Sequence, residues 1–174
     1  MLILPCMNWQ KYRSDFRNSR FWSIVLAGVS PWQDHIDLYA IDCIVLPSQG
    51  RMIGLWSPSE QGEILDEIIA LGLDSYPSWS RYSNNVRLRD QLCQAVELKL
   101  DELSNKYRYV IGFVNVRAYY ETLKLLARKF PINLFPERVN WRAARAVPYT
   151  GIGELQDHLR VILGQSGDSP WTRE

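Results

Sequence analysis

The sequence predicts an α/β domain, a single mixed sheet with helices packed on it, and two stretches carry that expectation. Tyr107 to Val114 is a nearly unbroken apolar, β-branched and aromatic run. A strand apolar on both faces must be covered on both faces. From Arg117 the period changes: Tyr119, Leu123, Leu126, Ala127 and Phe130 form a helical stripe, and Arg117, Glu121, Lys124 and Arg128 take the opposite side. Ile132 to Phe135 is then a second strand, so the order predicts a right-handed βαβ unit with a parallel pair. The second stretch is Pro47-Ser48-Gln49-Gly50, a turn between two apolar runs that predicts an antiparallel hairpin. The same elements would also fit an α+β arrangement.

In chain order, Asn8 to Arg20 carries Trp9, Tyr12 and Phe16 at helical spacing, as a short amphipathic helix or an N-terminal arm. Phe21 to Ala27 reads as a strand closed by Gly28. Ser30-Pro31-Trp32-Gln33 has the form of a helix start, yet Ile36 to Leu46 reads as a long strand without a loop between them, and the strand is the better expectation. With the hairpin partner Arg51 to Trp56, these strands make an N-terminal three-stranded antiparallel meander. Ser57-Pro58-Ser59-Glu60 is a capping box opening a helix with Ile64, Leu65, Ile68 and Leu71 inward. Tyr76 to Asn85 is a polar and aromatic loop ending in an Asn cap for a helix over 86–103, whose stripe includes Leu88, Leu92, Ala95, Val96, Leu100 and Leu103. Arg89 and Lys99 fall inside that stripe, where their stems can reach past its edge. Pro136 and Pro148 bracket a basic segment, and Gly151 to Leu163 gives a last helix with Leu155, Leu159 and Ile162 inward. Residues 1–165 are thus one globular domain, and 166–174 a flexible tail.

A chain of 174 residues with 47% hydrophobic content suits one domain with a real core. The formal charge of +1 hides an uneven distribution. From Ser30 to Trp79 there are eight acidic residues and one basic, Arg51, whereas from Lys106 to Val147 there are nine basic residues against Glu121 and Glu137. Such asymmetry marks an anionic partner, or two parts of one surface that attract. Cys6, Cys43 and Cys93 are odd in number and lack C-x-x-C spacing, so neither a disulfide framework nor a zinc site is expected. The first residues are too short for a signal-peptide core, and no apolar run approaches the ~20 residues of a membrane helix. The expectation is a soluble, cytoplasmic protein.

Chemistry is sparse. His35 and His158 sit in unrelated elements, and H-E-x-x-H, G-x-S-x-G and Walker A patterns do not occur. No cofactor, metal or catalytic residue is assigned. An enzyme site would lie at the carboxyl end of the central strand near Asn115 and Arg117, although Asn115 also suits a helix cap there. Tyr149-Thr150-Gly151-Ile152-Gly153 resembles the hairpin of the helix-hairpin-helix family, whose glycines let backbone N–H groups meet a DNA phosphate. That resemblance covers under fifteen residues. The family's apolar positions three, four and seven residues after the second glycine hold Gln156, Asp157 and Arg160 here. Thr150 as a helix cap is the structural reading of the same turn.

By elimination the leading expectation is a non-enzymatic interaction protein that binds a macromolecular partner, with Tyr76, Trp79, Tyr82 and Trp171 as candidate protein contacts. The alternative is a nucleic-acid binder using Arg138, Arg142, Arg145, Lys124, Arg128, Gly151 and Gly153, which requires these cations to share one face. A small enzyme whose site assembles from distant residues is the third class.

Overall fold

Met1 to Pro5 is apolar throughout, and in the structure, a computed structural model, Leu2 to Pro5 is the middle strand of the sheet. Residues 1–6, 19–48, 50–57, 60, 64, 66–67, 70 and 79–164 are described, those at 79, 144 and 145 in backbone only. Strand β1 (Leu2–Pro5) lies between β2 (Leu38–Leu46) and β4 (Val110–Phe113), parallel to both. Beyond β2 the edge is the antiparallel β3 (Arg51–Trp56), and beyond β4 it is the parallel β5 (Ile132–Phe135), giving the order β3-β2-β1-β4-β5. The α/β class, the hairpin and the βαβ unit stand as expected.

Period-2 geometry explains why β1 suits the centre. Leu2 and Leu4 point into one core and Ile3 into the other, all at 1% exposure or less. The first core is covered by α1 (Arg20–Val29) and α6 (Ile152–Leu163), through Trp22, Val25, Val29, Leu155 and Leu159. The second is covered by α3 (Val86–Leu103) and α4 (Arg117–Leu126), through Leu92, Val96, Leu100, Tyr119 and Leu123. Helices on both faces are what parallel crossovers require. Two short helices, α2 (Trp79–Asn84) and α5 (Val147–Thr150), and 3-10 turns over Ser30–His35 and Trp141–Ala146 complete the described elements.

Phe21 to Ala27 is helical, not a strand. Ser19 caps it, its Oγ accepting from the Trp22 nitrogen at 3.2 Å, and Trp22, Val25 and Val29 fall on one helical face. The indole of Trp22 is fully buried and donates to the Pro5 carbonyl at 2.9 Å, which ties α1 to the end of β1. The place beside β2 is taken by β1. The antiparallel part of the sheet is therefore the hairpin alone. Ser30 and Pro31 do open a helical turn, but it is a 3-10 turn that stops at His35, and the strand begins at Leu38.

The hairpin turns at Gly50, φ +63°, whose nitrogen donates to Leu46 O at 2.9 Å. Asn85 caps α3 as expected, accepting from Leu88 N at 3.0 Å. The capping box at Ser57 is half visible: its nitrogen donates to Glu60 Oε2 at 2.6 Å, and most of the helix expected beyond it lies outside the described residues. The stretch before Asn85, expected as a loop, contains α2, which wedges Tyr82 between α3 and α4.

Candidate functional site

The chain leaves β1 toward β2 on one side and returns through β4 and β5 on the other, so the order reverses between β1 and β4. Open α/β sheets bind ligands outside the strand carboxyl ends at such a reversal. Here that place is bounded by Cys6 after β1, by Asn115 to Arg117 after β4, and by the segment 136–151 after β5. This segment crosses the carboxyl edge from one layer to the other. Its Trp141 ring packs edge-on against Tyr120 of α4 at 5.3 Å, while Val147 sits in the α1/α6 core.

The amino end of α4 faces this edge. Its N-cap is Val116, which offers no side-chain acceptor, so Asn115 does not cap it as expected. Neither α4 nor α1 has an acidic residue in its own first turn, although burial, followed by the nearby carboxylates of Glu121, Glu137 and Glu154, raises the phenol of Tyr120 near the start of α4. The Arg117 guanidinium lies 5.8 Å from the Trp141 ring centroid, and that of Arg20, at the start of α1, lies 5.2 Å from Tyr149. Arg142 is exposed in the crossing segment, and Arg87 and Arg89 lie in the first turn of α3, which also starts on the carboxyl side. Among the described residues the ion pairs involve Lys99, Lys106, Lys129 and Arg160; Arg20, Arg87, Arg89, Arg138 and Arg142 enter none.

Not every predicted cation joins this edge. The chain passes from α4 to β5 at the amino end of the sheet and leaves β5 at the other end. Lys124 and Arg128, late in that helix and its exit, therefore lie away from Arg138 and Arg142 by the length of β5, ~13 Å at ~3.3 Å per residue. The requirement that all five share one face is not met. Arg138 is exposed, but it lines a depression with Glu137, Glu154, Asp157 and His158, so its surroundings are mixed in sign. The side chain of Arg145 lies outside the described residues.

The glycine turn is not a phosphate cradle. Gly151 has φ −100° and is buried against Pro136, which a Cβ would approach at 3.0 Å. Packing, not ligand access, explains it. Gly153 is exposed with open space around it. Thr150 does not cap α6: its hydroxyl donates to Ala146 O at 3.2 Å. Glu154 occupies the first turn of α6 and accepts from Glu137 N at 3.0 Å, so an anion there would meet a carboxylate. Among the aromatic candidates, Tyr82 is 2% exposed and its hydroxyl bonds Thr122 Oγ1 at 2.7 Å, so it is a core residue and not a contact. Tyr76, Trp171 and the side chain of Trp79 lie outside the described residues.

Under the edge, the Tyr119 hydroxyl sits between two thiols, 2.9 Å from Cys6 Sγ and 3.8 Å from Cys43 Sγ. Burial, with Asp42 nearby, pushes the Cys43 thiol up to about 12, and burial raises the Tyr119 phenol well above its ordinary value. Cys43 stays protonated at neutral pH, which unfits it as a nucleophile. Among the described residues no group of His, Cys, Asp and Glu could hold a metal ion, and no helix is long and apolar enough to cross a membrane. No sequence signal brought the starts of α1 and α4, with Arg20 and Arg117, to the same end of the sheet; the strand order does. No family model, curated protein or solved structure matches the chain.

Proposed function

We propose that this protein acts by binding a macromolecule, and that the macromolecule is a nucleic acid held through its phosphates along the carboxyl edge of the sheet. The observation that supports this reading is the position of Arg20 and Arg142. Both are exposed, make no ion pair among the described residues, and belong to segments that reach the carboxyl edge, Arg20 at the start of α1 and Arg142 in the segment that follows β5. The cations are spread along the edge, with Arg20 on the α1 layer and Arg87 and Arg89 on the α3 layer. A single phosphate cannot meet all of them, whereas a repeating anion can. Tyr149, 50% exposed with Arg20 against its ring, adds an aromatic surface of the kind on which bases stack.

The test is binding of labelled single-stranded and duplex oligonucleotides across a salt series, with Arg20→Ala/Arg142→Ala in parallel. Affinity should fall steeply with salt, and losing two phosphate contacts should flatten the log–log slope by roughly 1.5. Lack of binding at low salt, or an unchanged slope in the double variant, refutes the reading and leaves an acidic protein surface as the partner to pursue.

A further inference from the structure

At the opposite, amino end of the sheet lies a cavity of about 340 Å³. Its apolar walls come from the α1/α6 side of the sheet: Leu2 and Ile111 from the strand ends, Ile36 from the turn before β2, and Leu159, Ile162 and Leu163 from α6. The floor offers no orphan backbone donor. Leu2 N donates to Asp37 O at 2.9 Å, Ile111 N to Met1 O at 3.0 Å, and the amino group of Met1 to Tyr109 O at 2.9 Å. The Met1 amino group has hydrogens beyond that one bond, so an occupant gains by burying apolar surface against the walls and can place an acceptor only at this amino group or at the mouth.

The mouth is different. Lys106 and Arg108 line it on the chain between α3 and β4. Lys106 is 3.2 Å from Asp37, so its charge is largely matched, and the Tyr107 hydroxyl donates to the same carboxylate at 2.5 Å. Arg108 makes no ion pair among the described residues; its guanidinium rests 5.2 Å from the Tyr109 ring. The site thus joins an apolar wall to the Arg108 guanidinium at its edge, with His35 and the Met1 amino group also in its lining. A volume of this size lies at the lower end of those that hold small ligands, roughly 300–1,000 Å³.

We propose that this cavity binds a linear amphiphile with an anionic head, a medium-chain fatty acid, with the acyl chain against Ile36, Ile162 and Leu163, which are partly exposed, and the carboxylate at Arg108. It is separate from the nucleic-acid edge, and neither reading depends on the other.

Dodecanoate, titrated into the full-length protein by calorimetry below its micellar concentration, should bind once per chain. Arg108→Ala should weaken it about five-fold, as expected for one exposed ion pair. Ile162→Trp, which fills the cavity from a half-buried position, should abolish binding, and circular dichroism of each variant reports whether the fold is kept. Dodecanol should bind more weakly than the acid. The site assignment is overturned by absence of saturable binding, by binding that both folded variants leave intact, by equal affinity for dodecanol, or by displacement with an oligonucleotide. Sedimentation showing that a second copy closes the cavity, as a dimer that Ile162→Trp breaks while no dodecanoate is taken up, overturns it as well.

Discussion

Gly54 should be the least replaceable glycine of the sheet. It sits in β3 opposite Asp42, with φ +74°, a conformation that costs an L-residue about 1–2 kcal/mol. A Cβ there would lie 2.6 Å from the Ala95 carbonyl carbon, 2.8 Å from its oxygen and 2.8 Å from the Val96 nitrogen. These are backbone atoms in the middle of α3, which cannot step aside as a side-chain tip can, so overpacking adds about 1–3 kcal/mol. Gly54→Ala should therefore destabilise by about 2–5 kcal/mol, a large part of the 5–15 kcal/mol typical of a domain. Gly50→Ala is the control: its φ is also positive, +63°, but nothing lies within 4 Å of the added carbon, so only the backbone cost of about 1–2 kcal/mol applies. Urea unfolding followed by circular dichroism measures both. At a slope near 2 kcal/mol/M the Gly54 midpoint should fall by about 1–2.5 M. If the two variants unfold within about 0.5 kcal/mol of each other, α3 does not press on β3 and the packing argument fails.

Two further outcomes follow from groups inside the fold. Tyr82→Phe removes a buried hydroxyl while Thr122 keeps its bond to Ala118 O, so stability should drop by about 1 kcal/mol, lowering Tm by roughly 2–4 °C; an unchanged Tm would place that hydroxyl outside the core. Burial lowers His158 below its ordinary 6.5, its ring lies 4.9 Å from that of Phe135, and its Nε2 has no hydrogen-bond partner among the described residues. Because the unfolded chain then takes up the proton first, stability is full above pH 6.5 and declines as pH falls through and below that value. Thermal melts between pH 5 and 8 should show the decline, and His158→Phe should flatten it; a parallel decline in the variant would assign the effect elsewhere.

The C-terminal half of this fold was legible because its periods are unmixed. Val110 to Phe113 lies inside the longer, nearly unbroken apolar run from Tyr107 to Val114, and α4 has a clean stripe, so both patterns extend far enough to show. The N-terminal half misled for two physical reasons. Phe21 to Ala27 is so apolar that strand and helix patterns both fit, and what decides between them is the Ser19 cap and the indole bond to Pro5, a contact with another element. Leu2 to Pro5 is too short to announce itself, and its partners are distant in sequence. The site shows the same division. Basic residues of 106–147 were visible as a class, but which of them reach the carboxyl edge depends on the direction of β5, and Arg20 belongs to the edge only because α1 begins beside the end of β1. Tyr82 was mistaken for surface because it sits among serines, asparagines and arginines, while its own ring is the only large apolar group α2 turns inward among its described side chains.

The position of β1 has a consequence for how the molecule comes together. The hairpin β2–β3 and the unit β4–α4–β5 are each built from neighbours in the chain, and each can assemble from its own segment. Among the described strands, only β1 pairs with both groups, and the contact between the Met1 amino group and Tyr109 O spans 108 positions. Four residues thus act as the seam of a two-panel garment: the panels can be cut separately, but the sheet is one piece only once the seam is sewn. That closure carries the entropy of the longest loops in the fold, although such a cost grows only with the logarithm of their length. Changes to Ile3 or Leu4 should therefore be felt by the whole sheet at once, while changes to either edge strand stay local.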